Sequence, residues 1–166
     1  MASYLKWFPN VWLGVSIEDQ EQADKRIPLL LQTPAAVRFL SCEPMLGPID
    51  LDLERYESPG WFDYRKKLIH LVIVGGESGQ GARPCDIAWI RSIVQQCKDA
   101  GVKCFVKQLG SLPIATDSEC RRLIRKSSGV LRFEANGDGT GRLLLNDKKG
   151  GDMSEWQEDL RVREFP

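Results

Sequence analysis

The sequence predicts an α/β fold: about four parallel strands with helices packed outside them, followed by a C-terminal β-hairpin appendage. Three observations predict it. "LIHLVIV", Leu68 to Val74, is apolar without alternation, so both faces of that strand should be covered, as in a parallel sheet packed by helices. Strand-like and helix-like runs alternate between Asn10 and Val106, the order that right-handed parallel crossovers produce. Beyond Gly110 two extended runs flank "NGDGTG", a hairpin signal.

The elements follow in order. "NVWLGVSI", Asn10 to Ile17, is the first strand. In "EDQEQADKRIPLLLQTP", Ala23, Ile27, Leu30 and Leu31 share one helical face, with acids early and bases later as the helix dipole favours. Pro28 should kink or shorten this helix. Pro34 blocks it, and Ala36 to Leu40 forms the second strand. The linker from Gly47 to Lys67 contains "SPGWFDYRKK" and reads as a loop with at most a short helix. Leu68 to Val74 is the third strand. A helix follows, with Ile90, Ile93, Val94 and Cys97 on one face, Asp86 as N-cap and Gly101 at its stop. "VKCFV", Val102 to Val106, is the fourth strand. Asp117 to Lys126 is a short basic helix, and Asp152 with Glu155 suits a capped helical turn.

Bulk properties exclude several classes. The 166 residues carry a formal net charge of zero, so no global excess of cations argues for nucleic acid. A local basic patch stays open. No apolar stretch approaches the ~20 residues of a spanning helix, so no membrane is expected. The five cysteines are scattered without a C-x-x-C pair, which fits a reducing cytoplasm.

Functional chemistry gathers at the strand ends. The four strands finish in Ser16 and Glu18, Ser41 and Glu43, Glu77 and Ser78, and Lys107 and Gln108. In parallel α/β folds, ligands collect at the carboxyl ends of strands. Strands stand about 4.8 Å apart, so three acids there repel unless a cation, a proton or a polar ligand lies among them. Lys107 and Arg83 are internal candidates for that cation. Ser16 has a second reading, as a helix cap completed by Asp19, which would leave Glu18 exposed in the first turn. Ser41 and Glu43 have no helix behind them, which favours a site. Pro44 holds Glu43 extended.

"GGESGQGARP", with Gly75, Gly76, Glu77 and Ser78 at its start, is a tight turn or a binding loop. It is neither a P-loop nor a dinucleotide fingerprint. "NGDGTG" lacks the ligand series of an EF-hand and reads as a turn. His70, the only histidine, reads as a buried strand residue. Cys42 reads as a small buried residue, and Trp7, Phe8, Trp12, Trp61 and Phe62 as core or loop anchors.

The strings "NVWLGVSIEDQEQADKRIPLLLQTPAAVRFLSCEPMLGPIDL", "LVIVGGESGQGARP" and "FVKQLG", together with the closing "NDKKGGDMSEWQEDLRVREFP", resemble an uncharacterised phage and bacterial family. That family was named from mycobacteriophage gene products thirty-seven and sixty-eight. It looks like a divergent branch of the radical S-adenosylmethionine proteins. The resemblance implies a partial β/α barrel, with residues 1–110 as a half barrel and 111–166 as a hairpin and short-helix appendage on the same domain. Longer members begin with a three-cysteine segment for an iron–sulfur cluster. This chain lacks that segment and looks like the C-terminal half. By resemblance, Ser16 and Glu18 would meet the cofactor's ribose and amino-acid part, with Ser41 and Glu43 beside them. Gly75, Gly76, Glu77 and Ser78 would lie near its adenine. Arg83, Lys107 and Gln108 would face substrate.

S-adenosylmethionine is thus the candidate cofactor, and a cluster would need a cysteine-bearing half supplied elsewhere. The expected partner is that half or a second copy, because a half barrel leaves two open edges. Two other readings stand beside this one: a non-catalytic binding module or truncated remnant, and a phosphate- or sugar-binding barrel enzyme using Arg83 and the "GGESG" amides.

Overall fold

The computed structural model describes residues 10–56, 68–126 and 132–166. Trp7, Phe8, Trp61 and Phe62, and the second part of the linker, lie outside them. Four strands form a parallel sheet in chain order: β1 (Trp12–Ser16), β2 (Val37–Cys42), β3 (Leu71–Gly75) and β5 (Lys103–Gln108). Helix α1 (Gln20–Gln32) crosses from β1 to β2, and α2 (Ile87–Ala100) crosses from β3 to β5. Same-handed crossovers between strands in chain order put both helices on one face of the sheet.

Pleating then sorts the side chains. Val15, Leu40, Val72 and Cys104 stand in register and join the core beneath α1 and α2, with Leu40 and Val72 wholly buried. Ile27 and Leu30 of α1 and Ile90, Ile93 and Cys97 of α2 complete that core. The opposite face carries Gly14, Phe39, Leu71 and Lys103, then Ser16, Ser41, Ile73 and Phe105. Phe39 lays its ring over Gly14, where an added Cβ would sit 2.4 Å from the ring. β3 is covered on both faces as expected: Leu71 on this face is as buried as Val72 on the other, and Ile73 is half-buried.

The cap of α1 is Asp19, whose Oδ1 accepts the Gln22 amide at 2.9 Å. That removes the capping role from Ser16, which belongs to β1. Helix α1 continues past Pro28 to Gln32 because Ile27 and Leu30 are buried against the sheet on either side of the proline. Asp86 caps α2 by accepting the Ala88 amide, and Gly101 ends it in the left-handed region at φ 59°. The linker contributes a 3-10 turn, Leu53–Tyr56. His70 lies just before β3, half-buried, with Nδ1 accepting the Arg38 amide at 3.1 Å. It is not an interior residue of the strand, because β3 pairs regularly only from Leu71.

The expected hairpin forms from β7 (Arg132–Ala135) and β8 (Thr140–Leu144). It is not an isolated appendage. β8 pairs with β6 (Pro113–Thr116), and β6 pairs in parallel with β4 (Cys85–Asp86), giving a mixed sheet that takes a strand from before residue 110. Helix α3 (Asp117–Lys126) packs on it, and Cys120, Leu123 and Leu143 join the same core cluster as α2.

The end of the chain covers the outer edge of β5. The Val106 amide donates to Val162, the Glu164 amide donates to Cys104, and Phe105 bridges Arg163 in antiparallel sense. The Arg163 guanidinium lies 5.4 Å from the Phe105 ring and 5.3 Å from the Trp156 ring. Of the two edges of the parallel sheet, only the β1 edge therefore lacks a neighbour among the described residues, one fewer than the two open edges expected of a half barrel.

Ile90 is fully buried and Leu29 is 62% exposed. Ile90→Ala should lower unfolding stability by about 2–5 kcal/mol, the range for emptying a buried aliphatic site. Leu29→Ala should change it by less than about 0.5 kcal/mol. Urea denaturation of both variants is the check.

Candidate functional site

The parallel register brings the carboxyl ends of β1, β2, β3 and β5 to one rim. Ser16 lies opposite Ser41, and Gly75 lies opposite Gln108 across a bulge at Val74 and Gly75. Backbone hydrogen bonds stitch the loops beyond the strands together. The Ile17 amide donates to Ser41, the Leu46 amide to Glu18, and the Met45 amide to Gly75, at 2.8–3.0 Å. The Glu43–Pro44 peptide bond at this rim is cis.

Glu43 is the most enclosed acid of the rim, its side chain 15% exposed. It crosses the end of β3 and receives Lys107 Nζ from β5 at 3.3 Å. Gly75 makes that crossing possible: a Cβ there would sit 2.9 Å from Glu43 Oε1 and from the Gln108 carbonyl. Gly76 is under the same constraint, since a Cβ would stand 2.3 Å from the Leu109 carbonyl oxygen. Gln108 braces this backbone by donating from Nε2 to the Gly76 carbonyl at 3.0 Å.

Glu18 lies one strand away. Arg26 of α1 donates through Nη1 to Glu18 Oε2 at 3.1 Å and to the Ser16 carbonyl at 2.6 Å. Burial pushes the Cys42 thiol up, and the neighbouring Cys104, Glu43 and Glu18 push it further. Cys42 therefore feels Glu18 and Glu43 together. The Ser16 and Ser41 hydroxyls form no hydrogen bond among the described residues.

Glu77 takes a different course. Arg83 folds back on it with Nε to Oε2 at 2.7 Å, Nη2 to Oε1 at 3.1 Å, and its own backbone amide to Oε2 at 2.9 Å. These bonds hold the Glu77 carboxyl down at about 2. The Arg83 guanidinium is raised by the same contact and, more weakly, by Glu18. Ser78 lines a cleft together with Gly110 and Arg142.

The rim thus alternates in sign. Glu18 sits with Arg26, Glu43 with Lys107, and Glu77 with Arg83. Lys107 and Arg83 were legible as the neutralising cations; Arg26 was not, because only the docking of α1 brings it back over Glu18. Exposed pairs of this kind contribute little to stability, so they leave the acids open to exchange their cation for a ligand. All five cysteines are buried and unpaired. Burial pushes the Cys85 thiol up to about 12. Among the described residues no group of three or more His, Cys, Asp or Glu side chains could hold a metal ion, and no helix is long and apolar enough to cross a membrane.

A family model described as a protein of unknown function, DUF5131, matches residues 1–149. The chain belongs to this family. The DUF5131 match takes in the four-strand sheet, every rim residue and the hairpin, and stops before the tail that covers β5. No curated protein and no solved structure matches the chain.

A carboxyl held low in the fold stabilises it fully above the ordinary glutamate range near 4.5. That contribution is lost as pH falls through the folded value. Side-chain NMR titration should place Glu77 near the bottom of this window in the wild type and return it toward 4.5 in Arg83→Gln. Unchanged titration in the variant would show that Arg83 is not the cause.

Proposed function

We propose that this chain is the cofactor- and substrate-binding half of a β/α barrel of the radical S-adenosylmethionine type. The observation that supports this most directly is the meeting of Glu43 and Lys107 over the Gly75–Gly76 backbone, at the carboxyl ends of parallel strands in chain order. Two acids, a glycine backbone and two unbonded hydroxyls there offer the groups that a nucleoside bearing an amino acid needs. Glu18 and Glu43 would take its ammonium, and Ser16 and Ser41 its ribose. The close-approach backbone at Gly75 and Gly76, with Glu77 and Ser78 following, would lie along its adenine. Lys107, Gln108 and Arg83 would face the substrate. When bound, S-adenosylmethionine supplies a sulfonium that a cluster can cleave reductively.

The residues of this chain do not fit the cluster itself. Its cysteines are all buried. Cys97 hydrogen-bonds with Cys104 and lies near Cys42; that bond and then burial push the Cys97 thiol up. Burial pushes the Cys42 and Cys85 thiols up, and among the described residues no group of three could hold a metal ion. A cluster would come with a separate cysteine-bearing half, or the chain would pair with a second copy. The sheet face carrying Phe39, Ile73 and Phe105, and the β1 edge beside it, are the surfaces such a half would meet.

Calorimetry with S-adenosylmethionine on the whole chain tests the reading. Saturable binding is expected, weakened about 10- to 100-fold in Glu43→Gln, the usual worth of a hydrogen bond to a charged group. Absence of saturable heat, or equal affinity in the variant, would overturn the assignment of the rim.

A further inference from the structure

A cleft of about 680 Å³ opens on the far side of the Ser78 loop. Ser111 builds it. Its hydroxyl donates to the Lys148 carbonyl at 2.6 Å and accepts the Gly79 amide at 3.0 Å, while its carbonyl accepts Arg142 Nη2 at 3.3 Å. Its hydroxyl thus ties the loop after β3 to the loop after β8, and its carbonyl holds Arg142 of β8.

The charges around it are unbalanced. Arg142, Lys148 and Lys149 all line the cleft, and none forms an ion pair among the described residues. Asp147, the acid of the lining, is turned onto the chain itself, accepting the Lys149 amide at 3.1 Å and the Gly151 amide at 2.7 Å. Glu155 behind it is likewise committed to the Asn146 and Asp147 amides. Both acids hold the lysine loop in shape through backbone amides, and Asp147 also feels the Lys149 charge without forming an ion pair with it. The remaining wall is apolar, from Pro113, Leu144 and Leu145.

A cleft in the range of about 300–1,000 Å³ suits a small molecule rather than a polymer. Three cations without ion pairs and an apolar lining together call for an anionic group on an apolar or planar body. We infer that this cleft binds a phosphorylated small molecule of mononucleotide size, its phosphate on Arg142, Lys148 and Lys149 and its body on Pro113, Leu144 and Leu145. The inference does not rest on the reading of the rim, since none of these residues belongs to it.

AMP, adenosine and inorganic phosphate are the probes, titrated calorimetrically into the whole chain at low salt. AMP should bind saturably, with adenosine and phosphate each at least about tenfold weaker, as expected if charged and apolar contacts both contribute. The triple variant Arg142→Gln, Lys148→Ala, Lys149→Ala should lose at least about tenfold in AMP affinity with its melting temperature kept, and added salt should weaken the wild type. Lys149→Ala alone, at an exposed position, carries the test if the triple variant does not fold. No saturable heat at millimolar AMP, adenosine binding as tightly as AMP, or a variant binding like the wild type would overturn the proposal.

Discussion

Parallel pairing of β1, β2, β3 and β5 in chain order constrains everything at the rim. Each strand in such a sheet runs the same way, so every strand ends on the same side. The residues that follow the strands then face one another although about ninety positions separate the first from the last. The helices have no choice of side, because same-handed crossovers put both on one face. That burial anchors the strands from beneath, through Leu40, Val72 and Cys104, and leaves the strand ends free to carry polar chemistry.

The glycines after β3 turn that arrangement into a site. Glu43 and Lys107 come from strands on either side of β3, and a side chain at Gly75 would stand between them. Gly76 lets the loop lie directly on the Leu109 backbone. The same loop then divides the molecule's polar surface. Toward the rim it presents backbone under the Glu43–Lys107 pair. On its other side Ser78 and Gly79 meet Ser111 and the lysine loop. Glu77 and Arg83, closed on each other, give the loop between these two surfaces its shape.

The two sheets share one core. β4 is short, yet it ties the start of α2 to β6, and Cys120, Leu123, Trp156 and Leu160 pack into the same apolar cluster as the helices. The final residues return to the first sheet along β5, with Arg163 stacked between Phe105 and Trp156. A segment that reads in sequence as an appendage is therefore built into both ends of the molecule. It protects one edge of the parallel sheet and leaves the β1 edge without a neighbour among the described strands.

Local signals were enough for most elements, though not for β4 and β6, which exist only through their pairing in the second sheet. Apolar runs gave the four strands, Asp86 and Gly101 bounded α2, and the turn after Ala135 gave the hairpin, because each depends on neighbours a few residues away. The convergence of Glu18, Glu43, Glu77 and Lys107 on one side was also legible, since it follows from strand direction alone. What each acid meets was not. That Asp19 itself, and not Ser16, caps α1 was decided by where β1 stops pairing. Arg26 reaches Glu18 only once α1 has docked, and Arg83 turns onto Glu77 rather than outward. Ser111 gives no sign in the chain, for its partners Glu77, Gly79, Arg142 and Lys148 all lie 31 or more positions away. Sequence fixes which backbone conformations are favoured locally; side-chain partners across the sheet exist only after packing has set distances of a few ångströms, and that is a property of the whole fold.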